Sequence, residues 1–264
     1  MKYRIDHDLH IHSQISLCSR DPAQTAARIL QYAADHHLHT ICLTDHFWDE
    51  TVPGASDWYK PQHFAHVSAA LPLPQKSGIR FLFGCETEMD RHMRIGISLK
   101  RFDAFDFVII PTTHFHMTGF TVPADCVSPQ QKARLWLDKL NALLDMDLPF
   151  RKIGLAHLTC GLIDADREKY LDILTRLDTD DLVRVFRKAA RVGVGVELNA
   201  DDMKFADTER DTVLRPYRIA QSVGCRFYCG SDAHHPCALD DAPARFARAV
   251  AALDLTESEK FTIA

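Results

Sequence analysis

Asp8-Leu9-His10-Ile11-His12 ends the first apolar run of the chain, and Ser231-Asp232-Ala233-His234 follows the last candidate strand. Alternate residues of an extended strand share a face, so His10 and His12 point the same way, and Asp232 and His234 repeat that spacing. Neutral imidazole and carboxylate are the ligands that borderline and hard divalent metals prefer. The two segments predict one metal site assembled from both ends of the chain.

Between them, short apolar or β-branched runs alternate with helical patterns. Strands are expected at residues 3–12, 39–44, 79–85, 107–112, 153–157, 192–198 and 226–230, and helices at 22–36, 129–146, 179–190 and 211–223. Asp21-Pro22 reads as an N-cap followed by proline at the first helical position. Gly193 and Gly224 read as the glycines that close helices. Such alternation predicts a parallel sheet with right-handed crossovers. No GxGxxG follows a strand, so a dinucleotide-binding sheet has no support. No linker, low-complexity tract or internal repeat divides the chain. One domain over residues 1–264 is expected, with 47–75 as a candidate lid insertion.

The polar residues decide between an open sheet and a barrel. His10 and His12, Asp45 and His46, Glu86, His114, His157, Glu197, and Asp232 and His234 each stand at or just past the C-terminal end of a different candidate strand. In a barrel those ends ring one mouth, whereas an open sheet spreads its outer strands apart. Chemistry on all seven strands favours closure.

Composition frames the function. The chain of 264 residues is 46% hydrophobic and 25% charged, ordinary for a soluble protein. No apolar run approaches the length of about 20 residues that spans a bilayer, and the N-terminus lacks a signal-peptide pattern, so a cytoplasmic enzyme is the expectation. The eight cysteines are scattered and read as reduced. A net charge of −5 leans away from nucleic acid as partner.

A single structural zinc needs four ligands. The His, Asp and Glu candidates here number about twice that and CxxC is absent, which fits two or three ions sharing bridging carboxylates. Glu86 suits the bridge, because a carboxylate offers two oxygens. Paired ions activate water and clamp a phosphoryl group in line.

At these residues the chain resembles the PHP superfamily, the phosphoesterase domains of bacterial polymerases and histidinol phosphatases. The matching segments are Asp8-Leu9-His10-Ile11-His12-Ser13, Thr44-Asp45-His46, Gly84-Cys85-Glu86, Thr113-His114-Phe115, Ala156-His157, Glu197-Leu198-Asn199 and Gly230-Ser231-Asp232-Ala233-His234. The resemblance implies a distorted (β/α)7 TIM-like barrel of the α/β class with its metal site at the C-terminal strand ends. It also implies up to three divalent ions drawn from zinc, manganese and iron. His10, His12, Glu86 and Asp232 would hold one, His46 and His234 would help to hold a second, and Glu86, His114 and His157 the third. Asp45, Glu86 and Asp232 are the catalytic candidates, Asp45 as general acid or as a support for a ligand.

Two departures stand out. Many relatives place a histidine where this chain has Cys18, and histidinol phosphatases often follow the equivalent of His157 with Pro or Phe and Asp, where this chain reads Leu158-Thr159-Cys160-Gly161. Lys204 stands where histidinol phosphatases keep a phosphate-gripping arginine; Arg20, Arg91 and Arg94 lie in loops after candidate strands and are further phosphate candidates. Asp8 reads as a ligand or, ahead of that, as a residue that orients a ligating histidine through its other nitrogen. His116 rivals His114, Glu88 and Glu197 read equally as ion-pair partners, and His36, His37 and His39 read as solvated surface. The activity expected is hydrolysis of small phosphate monoesters by a metal-activated hydroxide. A phosphodiesterase or nuclease-like activity, and an inactive metal-binding module, are the alternatives.

Overall fold

The computed structural model describes residues 1–202 and 204–263. All seven expected strands form: β1 (His7–Ile11), β2 (Thr40–Leu43), β3 (Arg80–Glu86), β4 (Phe107–Pro111), β5 (Ile153–Ala156), β6 (Gly195–Asn199) and β7 (Arg226–Gly230). They lie in chain order and every neighbouring pair is parallel. The sheet curls until β7 meets β1, giving a nearly closed α/β barrel of the TIM-like (β/α)7 kind.

The seam between β1 and β7 explains the distortion. At the mouth it is held by backbone bonds, Asp232 N–H to the His10 carbonyl at 2.7 Å and His12 N–H to the Ala233 carbonyl at 3.1 Å. Lower down, side chains replace the ladder. His7 Nε2 accepts from the Cys229 N–H at 3.0 Å, and Asp8 Oδ1 accepts from the Ser231 N–H at 2.9 Å. Asp8 also accepts from the His10 N–H and the Tyr32 hydroxyl. It therefore stitches the seam and touches no ligand ring, which corrects the expectation that it orients one.

The principal helices are α1 (Ala26–Asp35), the short α2 (Phe64–Val67), α3 (Pro129–Leu144), α4 (Arg167–Arg176), α5 (Thr179–Val192), α6 (Arg210–Ser222) and α7 (Pro236–Leu253). Ser128 and Gln131 cap α3 reciprocally, with Pro129 at its first position. The start of α1 differs from the sequence reading: Thr25 is the N-cap, and Asp21 closes a turn by accepting from the Ala23 N–H at 2.8 Å. Gly193 ends α5 at φ +79°, so Val192 belongs to the helix and the next strand starts at Gly195. None of α2, α4 and α7 is among the helices read from the sequence. Pro243 interrupts the apolar pattern of α7, and only two residues separate α4 from α5.

The main core lies between barrel and helices. A smaller cluster of Leu9, Cys42, Leu82, Phe107, Ile109, Ala156, Tyr228 and Phe261 fills the barrel interior beneath the mouth. Solvent is thus excluded from the floor on which the polar residues stand. Among the described residues no helix is long and apolar enough to cross a membrane.

Candidate metal centre

Each strand end delivers its residue to the same place. His10 and His12 come from β1 and its end, Glu86 ends β3, His157 follows β5, and Asp232 lies two residues past β7. Nε2 of His10 and Nε2 of His12 are 3.1 Å apart. Glu86 Oε2 lies 3.4 and 3.2 Å from these two nitrogens, and Asp232 Oδ1 lies 3.3 and 3.1 Å from them. Ligand atoms about 2.0–2.2 Å from a shared ion stand roughly 3–3.5 Å from one another, so these separations match those between donors that could hold one ion.

Two further sets adjoin the first. Ligand atoms of Glu86, His114 and His157 lie within 4.8 Å of one another, as do those of His12, Cys18, His46 and His234. Glu86 joins the sets, with Oε1 3.6 Å from His157 Nε2 and Oε2 3.1 Å from His46 Nδ1. Among the described residues, both Glu86 oxygens and His114 Nε2 are buried without a hydrogen-bond partner. Orphaned buried acceptors of this kind are costly unless something positive meets them, and a divalent cation does so.

The hydrogen bonds behind the rings fix which nitrogen faces the mouth. His10 Nδ1 donates to Glu197 Oε1 at 2.6 Å, His114 Nδ1 to Glu88, and His234 Nδ1 to the Asp232 carbonyl at 2.7 Å. A carbonyl or carboxylate oxygen only accepts, so in each ring Nδ1 carries the proton and the Nε2 lone pair is left for a cation. Ser16 donates its hydroxyl to Asp45 at 2.9 Å, so its oxygen accepts from His12 Nδ1 at 3.1 Å with the same result.

Electrostatics points the same way. Burial alone would lower the His12 pKa, but Asp232 and Glu86 carry it up to about 10. His10 and His157 are likewise raised against their burial by the surrounding carboxylates. Burial pushes Glu86 and Asp232 upward, and the imidazoles outweigh it and hold both well below the ordinary carboxylate range. The cluster draws positive charge into a buried mouth.

Two residues of the cluster also carry backbone strain. His157 and Asp232 have φ of +62° and +52°, left-handed values that cost a non-glycine residue about 1–3 kcal/mol. Gly230 supplies space. A Cβ there would overlap the Glu197 carboxylate and come within 2.8 Å of His10 Cβ.

Several residues sit differently from the sequence reading. Asp45 accepts from the Ser13 N–H and hydroxyl, both at 2.7 Å, as well as from Ser16, so both its oxygens are occupied. It does not line the mouth cavity and steadies the His12 loop, which fits the supporting role, one of those the sequence leaves open for it. Arg91 donates to the Gly119 carbonyl and Arg94 to the Pro53 carbonyl, so both brace loops and neither lines the cavity. Arg20 is exposed and also lies outside the cavity lining. Lys204 pairs with Asp201 at 2.7 Å and borders an adjoining hollow that shares His157 and Asp232 with the mouth. His114, not His116, joins Glu86 and His157; His116 stands in the cavity wall.

Sequence reasoning missed Lys139. It is buried on the Trp136–Leu140–Leu143 face of α3, where burial pulls its ammonium down to about 8. It donates to the carbonyls of Met89 at 2.7 Å and Thr121 at 3.0 Å, tying together the loops that carry Glu88 and His114. A lysine on the apolar stripe of a helix was the available signal.

Above the cluster lies a cavity of about 440 Å³. Trp58, Tyr59, Met117, Phe120 and Leu162 form its outer wall. Trp58 and Tyr59 come from the 47–75 segment, and the Tyr59 hydroxyl lies 3.3 Å from both His46 Nδ1 and Glu88 Oε1.

So many imidazole and carboxylate donors at one barrel mouth exceed what a closed structural ion needs; they equip a metal-dependent hydrolase, and that is the class of this enzyme. The chain belongs to the PHP domain family, whose sequence model matches residues 8–204. No curated protein sequence matches the chain. Among solved structures it is similar to the histidinol phosphate phosphatase of Lactococcus lactis, crystallised with zinc, L-histidinol and phosphate. That likeness has a TM-score of 0.56 at 18% identity and covers 93% of this chain and 94% of the other.

Proposed function

We propose that the protein is a phosphomonoesterase that uses two or three divalent ions, zinc among them, on a small organic phosphate. The observation that carries this reading is the shared carboxylate: Glu86 stands in two adjoining donor sets and faces the third. In this reading His10, His12, Glu86 and Asp232 hold one ion, His46 and His234 contribute to a second, and Glu86, His114 and His157 hold another. When bound, the ions supply Lewis acidity toward phosphoryl oxygens and lower the pKa of a coordinated water. The protein's own residues orient that chemistry, Glu197, Glu88 and Ser16 by fixing the rings of His10, His114 and His12. The phosphatase neighbour, crystallised with an alcohol and phosphate, supports a small phosphate ester.

The cavity narrows the substrate class. Among the described residues no lysine or arginine lines it, so the phosphate charge falls to the ions and the imidazoles. Its outer wall of Trp58, Met117, Phe120 and Leu162 suits an aromatic or apolar organic group, with the 47–75 segment acting as lid. A confined mouth in a protein of net charge −5 does not suit a nucleic-acid strand.

A substrate panel tests this reading. With zinc or manganese, aromatic monoesters such as benzyl phosphate should be hydrolysed in preference to the matching diesters. Trp58→Ala should raise KM for benzyl phosphate about tenfold, the worth of roughly 1.4 kcal/mol of apolar contact, with metal content unchanged. Faster diester hydrolysis would move the assignment to a phosphodiesterase.

Lys204 should matter less than its sequence position suggests. Its ammonium is largely exposed and already paired, and such surface pairs are worth about 0–1 kcal/mol. Lys204→Ala should therefore change kcat/KM by no more than about fivefold. A loss of a hundredfold would place the phosphate in the adjoining hollow.

A further inference from the structure

Cys18 stands where a donor set closes. Its sulfur and ring nitrogens of His12, His46 and His234 lie within 4.8 Å of one another, and its side chain lines the mouth. Five of the other cysteines, Cys42, Cys85, Cys160, Cys225 and Cys229, are buried in the barrel or its packing. Of the eight, only Cys18 borders the main cavity.

The rings around it are already set for a cation. The His12 and His234 rings stack at 4.3 Å, and the His12 and His46 rings at 4.5 Å. His234 presents a bare Nε2 because its Nδ1 proton is committed to the Asp232 carbonyl. His46 Nδ1 lies between Glu86 Oε2 and the Tyr59 hydroxyl. With the His12 Nε2 engaged in the His10–Glu86–Asp232 set, this second position keeps the imidazoles of His46 and His234, and Glu86 Oε2 lies 3.1 Å from His46 Nδ1 beside it. Its remaining donor is sulfur.

We propose that Cys18 ligates the second ion as a thiolate, making this position a mixed sulfur and nitrogen site that selects zinc over manganese. The proposal rests on the polynuclear reading above. Ion binding forms the sulfur–metal bond and releases the thiol proton to solvent. Soft thiolate favours zinc, whereas a site of imidazole and carboxylate alone accepts manganese more readily. The mouth would then hold unlike positions, one thiolate-bearing and the others built from nitrogen and oxygen.

Cobalt(II) reads the bond directly, because sulfur ligation produces an intense near-ultraviolet charge-transfer band that nitrogen and oxygen ligands do not. The cobalt-loaded wild-type protein should show that band. Cys18→Ser should lose the band and one equivalent of cobalt, and Cys18→His should regain the equivalent without the band. Cys160→Ser, which alters the cysteine beside His157 and Asp202, should keep the band. Against a large excess of manganese, the wild-type protein should retain one zinc that Cys18→His gives up. A band that survives Cys18→Ser, or wild-type protein that binds cobalt without any such band, would overturn the thiolate while leaving the polynuclear site intact. No cobalt binding at all would overturn both.

Discussion

Glu86→Gln should strip more than one ion from the protein and lower kcat/KM for phosphate monoesters by at least about a thousandfold, equivalent to about 4 kcal/mol of transition-state stabilisation. The substitution keeps the size of the side chain and removes the charge. Glu86 Oε2 lies 3.1–3.4 Å from nitrogens of His10, His12 and His46, and Oε1 faces His157. An amide presents one acceptor oxygen and one NH2 group, so it can satisfy one donor set while turning protons toward another. Metal analysis of the purified variant beside the wild type checks this. A variant that kept every ion would show that the sets do not share the carboxylate.

Gly230→Ala should have the next largest effect, at a residue that offers no ligand. The added methyl overlaps the Glu197 carboxylate that holds His10 Nδ1 at 2.6 Å. Glu197 also accepts from the His157 N–H at 3.1 Å, so one displaced carboxylate loosens two candidate ligands. Loss of such a ring partner costs about 10- to 100-fold in metal affinity, and overpacking adds about 1–3 kcal/mol of instability. Glu197→Gln separates the two effects, since it should weaken metal binding without the steric strain. Zinc titration and thermal unfolding of both variants give the comparison. Unchanged zinc affinity in Gly230→Ala would mean that the mouth relaxes around the methyl group.

The local signals in the sequence carried furthest. Strand spacing placed His10 and His12 on one face, and the ends of seven apolar runs marked a single rim; the barrel brings those ends together. Partnerships across the chain were not legible. His10 and Glu197 are 187 residues apart, and nothing local distinguishes Glu197 as a ring partner from Glu197 as an ion-pair member. Asp8 shows the converse: its position two residues before the HxH segment suggests a role toward a ring, but the seam between β1 and β7 takes it as an acceptor. Arg91 and Arg94 look like phosphate ligands by charge, yet loop carbonyls hold them. Asp45 was read from its neighbour His46, whereas its oxygens are taken by the Ser13–Ser16 turn.

If one buried mouth holds several divalent ions through the Glu86 carboxylate, the ions can be counted per chain after removal of metal and reconstitution with zinc. Two or three equivalents are expected in the wild-type protein, falling by more than one in Glu86→Gln. One equivalent or none in the wild type would contradict the shared site.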